Sequence, residues 1–262
     1  MSHEDEYDDN LVTMLELIWG EGYMAPGGPG NVARMLAGFE TEGKRVLDIG
    51  CGIGGSAFEM AQTHGCEVVG IDLEAPLIAR AEAAAKEKGL DESCTFRAVE
   101  AGPLDFPDES FDIVSTAGAI TQTADKAGIF RECYRVLRPG GWLTCYDWTR
   151  SGGPYSDDMY YWFKMEGITY ALETLEEYEQ HLKNCGFEAV SVVDASDWYR
   201  EEARREYELI RGELYPRVVE LIGQDDADYR VENWRSMVVV CDKGEMRQGY
   251  CRGRRPGEPP VN

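Results

Sequence analysis

Basic residues are scarce in this chain: 26 Lys and Arg stand against 49 Asp and Glu over 262 residues, a formal charge of −23 and a pI near 4.5. A surface of that sign repels nucleic acid and anionic membranes, so neither is expected as a partner. Solubility in a salty cytoplasm accounts for the acidic excess. The lone basic run, Arg252-Gly253-Arg254-Arg255, reads as a frayed end. Histidine is scarcer still, with His3, His64 and His181 at no ligand spacing; His64 precedes a glycine as at a helix C-terminus, and His181 sits in a helical pattern. The eight cysteines include no C-x-x-C pair and read as buried free thiols, so no metal site is expected. No apolar run approaches the roughly 20 residues that span a bilayer. The acidic start, Met1-Ser2-His3-Glu4-Asp5-Glu6, is unlike a signal peptide. A cytoplasmic protein is expected, built as one large domain or a core domain with an insert.

Against these absences stands a concentration of glycine. In Val46-Leu47-Asp48-Ile49-Gly50-Cys51-Gly52-Ile53-Gly54-Gly55 an apolar strand runs into a glycine turn, and Ser56-Ala57-Phe58-Glu59-Met60-Ala61 continues as a helix. Such a backbone can pass directly beneath a bound nucleoside. Gly50-x-Gly52-x-x-Gly55 fits a dinucleotide fingerprint, and Gly50-x-Gly52-x-Gly54 fits the loop of S-adenosylmethionine enzymes equally well. Asp72, closing the next strand, stands where either fold places a carboxylate on ribose hydroxyls. Asp48 helps to separate the two. A carboxylate there suits a cofactor with a cationic amino-acid tail and repels a pyrophosphate. The leader of more than 40 residues ahead of this strand also favours S-adenosylmethionine over NAD.

Helix and strand patterns alternate along the chain. Helices are expected over Leu11–Trp19 and Pro29–Phe39, then strands near 44–49, 67–72, 94–99, 111–116 and 141–147, with helices near 55–64, 75–88 and 125–137 between them. This rhythm predicts an α/β, doubly wound parallel sheet with helices on both faces. After the fifth strand, Tyr146, Trp148, Tyr155, Tyr160, Tyr161, Trp162, Phe163 and Tyr170 crowd together. Some of these rings should face a pocket, where aromatic faces suit a cation, and more than half should pack the insert's own core.

At this point the residues resemble a family. Trp19-Gly20-Glu21-Gly22-Tyr23-Met24-Ala25-Pro26-Gly27-Gly28 is similar to the leader of the phosphoethanolamine N-methyltransferases. The glycine loop, Glu100, Phe106-Pro107-Asp108-Glu109-Ser110-Phe111-Asp112, and Leu137 to Gly141 follow in the family's order, and the likeness runs on through Trp234 to Tyr250. The resemblance implies a Rossmann-like class I methyltransferase: a helical lid over 1–40, an S-adenosylmethionine-binding core over 41–150, and an acceptor-side insert and completion of the same domain over 151–262. It implies that Asp48, Gly50, Asp72 and Glu100 bind the cofactor, with Tyr23, Gly52, Gly54, Leu73, Ala101 and Ala117 completing that site. It also makes the stretch 237–241 helical, whereas Met237-Val238-Val239-Val240-Cys241 has strong strand propensity, and the sequence leaves this conflict open.

The acceptor side departs from the family. Tyr7 falls where its N-terminal tyrosine belongs, but Gln122 stands for its histidine, Gly118 for an aspartate, Ile168 for an arginine and Met237 for a lysine; Tyr170 is retained. Losing the arginine and the lysine together removes the charge-assisted contacts a phosphate needs. The expected activity is therefore methylation of a small-molecule acceptor, N-methylation of a small amine or amino acid of the betaine type. S-methylation of a thioether or thiol acid, phosphoethanolamine N-methylation and a non-catalytic binding module are the alternatives. Tyr7 and Gln122 are the expected catalytic residues; Trp148, Tyr170 and Arg235 are expected on the acceptor.

Overall fold

The computed structural model describes residues 9–167 and 170–257, so the expectations placed on Tyr7 and Ile168 lie outside the described residues. In chain order, α1 (Asp9–Trp19) and α2 (Gly28–Met35) precede β1 (Arg45–Ile49), α3 (Gly55–His64), β2 (Glu67–Asp72), α4 (Ala75–Lys88), β3 (Cys94–Ala98), β4 (Phe111–Ala117), α5 (Lys126–Val136) and β5 (Leu137–Arg150). There follow α6 (Asp157–Glu166), α7 (Leu175–Asn184), β6 (Glu188–Asp194), α8 (Ser196–Arg211), α9 (Tyr215–Ile222), α10 (Gln224–Asp242) and β7 (Met246–Arg254).

The strands form one sheet in the order β3-β2-β1-β4-β5-β7-β6. β1 to β5 pair in parallel, as the βαβ rhythm predicts; β7 enters antiparallel between β5 and β6, so the whole sheet is mixed. Alternation within β1 supplies both faces. Val46 joins the apolar layer under α2, α3 and α4, and Leu47 the layer under α5 and α7. A third core, with Trp162, Tyr199, Ile210, Val218, Trp234 and Met237, lies among α1, α6, α8, α9 and α10 and forms a helical cap.

The structure resolves the conflict at 237–241 in favour of helix. Along α10 the buried residues Asn233, Trp234, Met237, Val240 and Cys241 recur at helical spacing. Burying that face outweighs a propensity deficit of a few tenths of a kcal/mol for each valine. The C-terminal basic run is not a frayed end. Arg252 and Arg254 belong to β7, and Arg255 Nη1 donates to the carbonyls of Tyr134, Arg135 and Leu137, at 2.6 Å to the last. α2 stops short of Phe39, whose ring stacks on Trp142 with centroids 4.9 Å apart. All eight cysteines are free, and Cys185 alone is more than marginally exposed. Among the described residues no group of side chains could hold a metal, and no helix is long and apolar enough to cross a membrane.

Candidate active site

At the end of β1 the backbone turns sharply. Gly50 takes a φ of +71°, and a Cβ there would lie 2.2 Å from the Cβ of Ala119, beyond β4. Left-handed backbone and close approach together require glycine. Gly50 N and Cys51 N donate to the Ile71 carbonyl at 2.8 and 3.1 Å, and Gly52 N donates to Asp72 Oδ2 at 2.9 Å. The turn is thereby strapped to the end of β2. Above it, at the carboxyl ends of the parallel strands, opens a cavity of about 980 Å³. Tyr23, Asp48, Gly50, Gly52, Asp72, Leu73, Glu100, Ala101 and Ala117 all line it.

Two acids define the chemistry of this cavity. Asp48 is 2% exposed and its Oδ2 has no hydrogen-bond partner. Burial pushes its pKa up to about 7; a hydrogen bond with Ser115 opposes the rise, and the charge of Asp72 adds to it. Asp72 is also raised by burial, against the amides of Glu74 and Gly52. A buried carboxyl with one oxygen unpartnered, beside a second acid, is relieved by a cation and aggravated by an anion. The residues therefore fit S-adenosylmethionine, with its ammonium and sulfonium, and not a pyrophosphate.

A second cavity, of about 360 Å³, adjoins the first. The two share Met24, Ala25, Pro26, Gly118 and Gln122, so Gln122 stands at their junction. Leu11, Leu15 and Trp19 of α1 form one wall, and Arg230, Asn233, Trp234 and Met237 of α10 another, each set at the spacing of a single helix face. Trp148 and Tyr170 complete it with ring centroids 5.7 Å apart, and Trp162 stacks behind Tyr170 at 5.1 Å. Ala171 N donates to the Thr121 carbonyl at 2.9 Å and its own carbonyl accepts from the buried Lys126 ammonium, which fixes the segment carrying Tyr170. Tyr160 and Tyr161, by contrast, are exposed.

Glu206 of α8 fastens the cap. Fully buried, it accepts from Trp19 Nε1 at 2.7 Å and Trp234 Nε1 at 3.2 Å, joining α1 to α10 across two pocket walls. Burial pushes its pKa up to about 7 against these two donors. A carboxyl raised on folding holds a proton that the unfolded chain has already released, so stability falls as pH climbs from about 4 to about 7. For Glu206 the cost once ionised is on the order of 3 kcal/mol. The melting temperature of the cofactor-free protein should drop by about 3–5 °C between pH 6 and pH 8.5, about the last 1.4 kcal/mol of that loss. Glu206→Gln should flatten that slope in a thermal melt series; an unchanged slope would assign the pH response to other groups.

Two expected residues are not where the sequence suggested. Gly54, the residue ahead of α3, lines neither cavity; a Cβ there would meet Phe58 at 2.7 Å and Phe96 at 3.1 Å, so packing demands the glycine. Arg235 is turned away from the second cavity and held by Glu232, with Nε and Nη2 each 2.6 Å from a carboxylate oxygen. One residue beyond Trp234 is about 100° around the helix, which carries Arg235 off the pocket face. The arginine that does line the pocket is Arg230. Its signal was the spacing from 230 to 234 and 237, obscured while 237–241 read as a strand.

A glycine turn under a cavity with paired acids, on a parallel sheet closed by an antiparallel seventh strand, defines a class I cofactor-dependent transferase core. Residues 47–145 match a family model described as a methyltransferase domain. The chain belongs to the S-adenosylmethionine-dependent methyltransferases. It is 32% identical over 219 residues to 27-O-demethylrifamycin SV methyltransferase of Amycolatopsis mediterranei, covering 78% of this chain and 80% of the relative. It is 30% identical over 251 residues to phosphoethanolamine N-methyltransferase 3 of Arabidopsis thaliana, covering 95% of this chain and spanning 50% of that protein's length. Phosphoethanolamine N-methyltransferase 2 of Haemonchus contortus, solved with phosphomonomethylethanolamine and S-adenosylhomocysteine, superposes with a TM-score of 0.89 at 27% identity, over 97% of this chain and 59% of that one.

Proposed function

We propose that the chain transfers a methyl group from S-adenosylmethionine to a small polar acceptor, the nitrogen of a small amine or amino acid. The junction of the two cavities at Gln122 carries this reading, because it lets donor and acceptor meet at a shared wall in a fixed orientation. When bound, the cofactor supplies a methyl group activated by positively charged sulfur. The chain's part is to hold and align. Asp72 would take the ribose hydroxyls, Asp48 the ammonium of the tail and Glu100 the adenine amine. Tyr23, Gly50, Gly52, Leu73, Ala101 and Ala117 would supply the contact surface. Residues 1–40 would act as a lid, with α1 and Trp19 excluding water and Tyr7 reaching the acceptor.

The test is methyl transfer from labelled donor to a panel of small amines, amino acids and thioethers. Tyr7→Phe should lower kcat far more than it alters S-adenosylhomocysteine affinity. Full turnover after deletion of residues 1–10 would remove the lid role. One observation favours S-methylation as a second reading. None of the five residues at the junction is titratable, and Gln122 can orient a group but cannot accept a proton at neutral pH. An amine must arrive deprotonated, so kcat/KM for a nitrogen acceptor should rise with pH, whereas a thioether should give a flat profile.

A further inference from the structure

Beyond the residues it shares with the first, the second cavity carries side chains of both charge types. Glu166, Arg230 and Asn233 line it, and none of the three borders the first cavity. Glu166 accepts from Trp162 Nε1 at 3.1 Å and Tyr170 OH at 3.3 Å; burial pushes its pKa up, and these two donors, the Arg230 charge and the Asn233 amide oppose the rise. A carboxylate only accepts, so the Asn233 amide presents N–H to Glu166 and its Oδ1 faces elsewhere. That oxygen, on a side chain only 2% exposed, has no donor. Arg230 makes no hydrogen bond or ion pair with the described residues; its guanidinium lies 5.8 Å from the centre of the Tyr229 ring. Its neighbours on the cap differ: Arg204, Arg205, Arg211 and Arg235 are each engaged by a carboxylate. In a chain with 49 acidic and 26 basic residues, a pocket arginine in no ion pair is available to a ligand.

We infer that the acceptor is an α-amino-acid zwitterion held by its head group in this unshared part, ammonium against Glu166 and Asn233 Oδ1, carboxylate against Arg230, with the methylated atom on its side chain at Gln122. This rests on the methyltransferase reading and refines it. A zwitterion answers both charges at once, whereas a simple amine leaves the guanidinium unpaired and a simple acid leaves the carboxylate unpaired. Trp148 and Trp234 also line the cavity, and aromatic rings suit an ammonium. Because the head group occupies the unshared part, its α-nitrogen is not the reacting atom; the nucleophile is a terminal thioether or amine.

The inference is tested by equilibrium binding to protein loaded with S-adenosylhomocysteine, which needs no turnover. The probes are L-methionine with 3-(methylthio)propylamine and 4-(methylthio)butyrate, and L-2,4-diaminobutyrate with 1,3-diaminopropane and 4-aminobutyrate. In each trio the second compound lacks the carboxylate and the third the α-ammonium. At least one amino acid should bind about 10- to 100-fold more tightly than both of its truncated partners. Arg230→Met should erase the advantage over the decarboxylated partner alone, and Glu166→Gln the advantage over the deaminated partner alone. Arg230→Lys should recover part of the first, and S-adenosylhomocysteine affinity should stay within about twofold throughout. If neither amino acid outbinds its truncated partners, or if Arg230→Met weakens methionine and its decarboxylated partner alike, the inference falls while the methyltransferase reading stands. Failure to bind S-adenosylhomocysteine at all would overturn that reading instead.

Discussion

Phosphoethanolamine should be methylated with a kcat/KM at least about 100-fold below that of the best zwitterion lacking a phosphate, a difference of about 3 kcal/mol. The second cavity offers one guanidinium, Arg230, and sets the Glu166 carboxyl close to it. A phosphate dianion placed there would meet one compensating charge and one repelling one, which costs several kcal/mol. Gly118, Gln122 and Met237 line the same cavity and add no positive charge. The measurement is competition in one reaction among phosphoethanolamine, glycine and its N-methyl derivatives, and methylthio amino acids at matched concentrations. If phosphoethanolamine prevails, the paired charges of the second cavity have been misjudged.

Replacing Asp72 by alanine should weaken S-adenosylmethionine and S-adenosylhomocysteine binding about 30- to 150-fold, or 2–3 kcal/mol. The carboxylate does more than face the cavity. Its Oδ2 accepts from Gly52 N at 2.9 Å and its Oδ1 from Glu74 N at 3.0 Å, so it also braces the glycine turn against the start of α4. Alanine removes the ligand contact and loosens the turn; Asp72→Asn keeps one acceptor oxygen and should lose less. Calorimetry showing Asp72→Ala at wild-type affinity would withdraw Asp72 from the ribose.

The core was legible because its signals are local. The sequence placed α3 and α4 at the residues where they occur, since a glycine turn starts one and Pro76 lies in the first turn of the other, with glycine after each. The cofactor cavity followed, because glycine turn, Asp48 and Asp72 all lie within 25 residues of one another. The cap was harder. β7 gains its strand character by pairing with β5 and β6 on either side, which no local pattern announces. α10 is helical through its buried face despite three consecutive valines, and with its phase unknown Arg235 was preferred to Arg230. Glu206 carried no signal at all. Its role depends on indoles 187 and 28 residues away.

The two cavities draw unequally on the two halves of the chain. Every residue lining the donor cavity precedes Cys133, whereas the acceptor cavity combines a wall from α1 with Trp148 and the segments after it. The match to the methyltransferase-domain family ends at residue 145, just short of Trp148. Divergence after residue 145 can therefore act on the acceptor side while leaving the donor lining in place. Exchanges at the tip of β5, in α6 or along α10 alter which molecule is recognised without disturbing donor recognition. Such an architecture lets one inherited donor module serve unrelated acceptors, and the named relatives, one a rifamycin methyltransferase and one a phosphoethanolamine methyltransferase, differ in that respect.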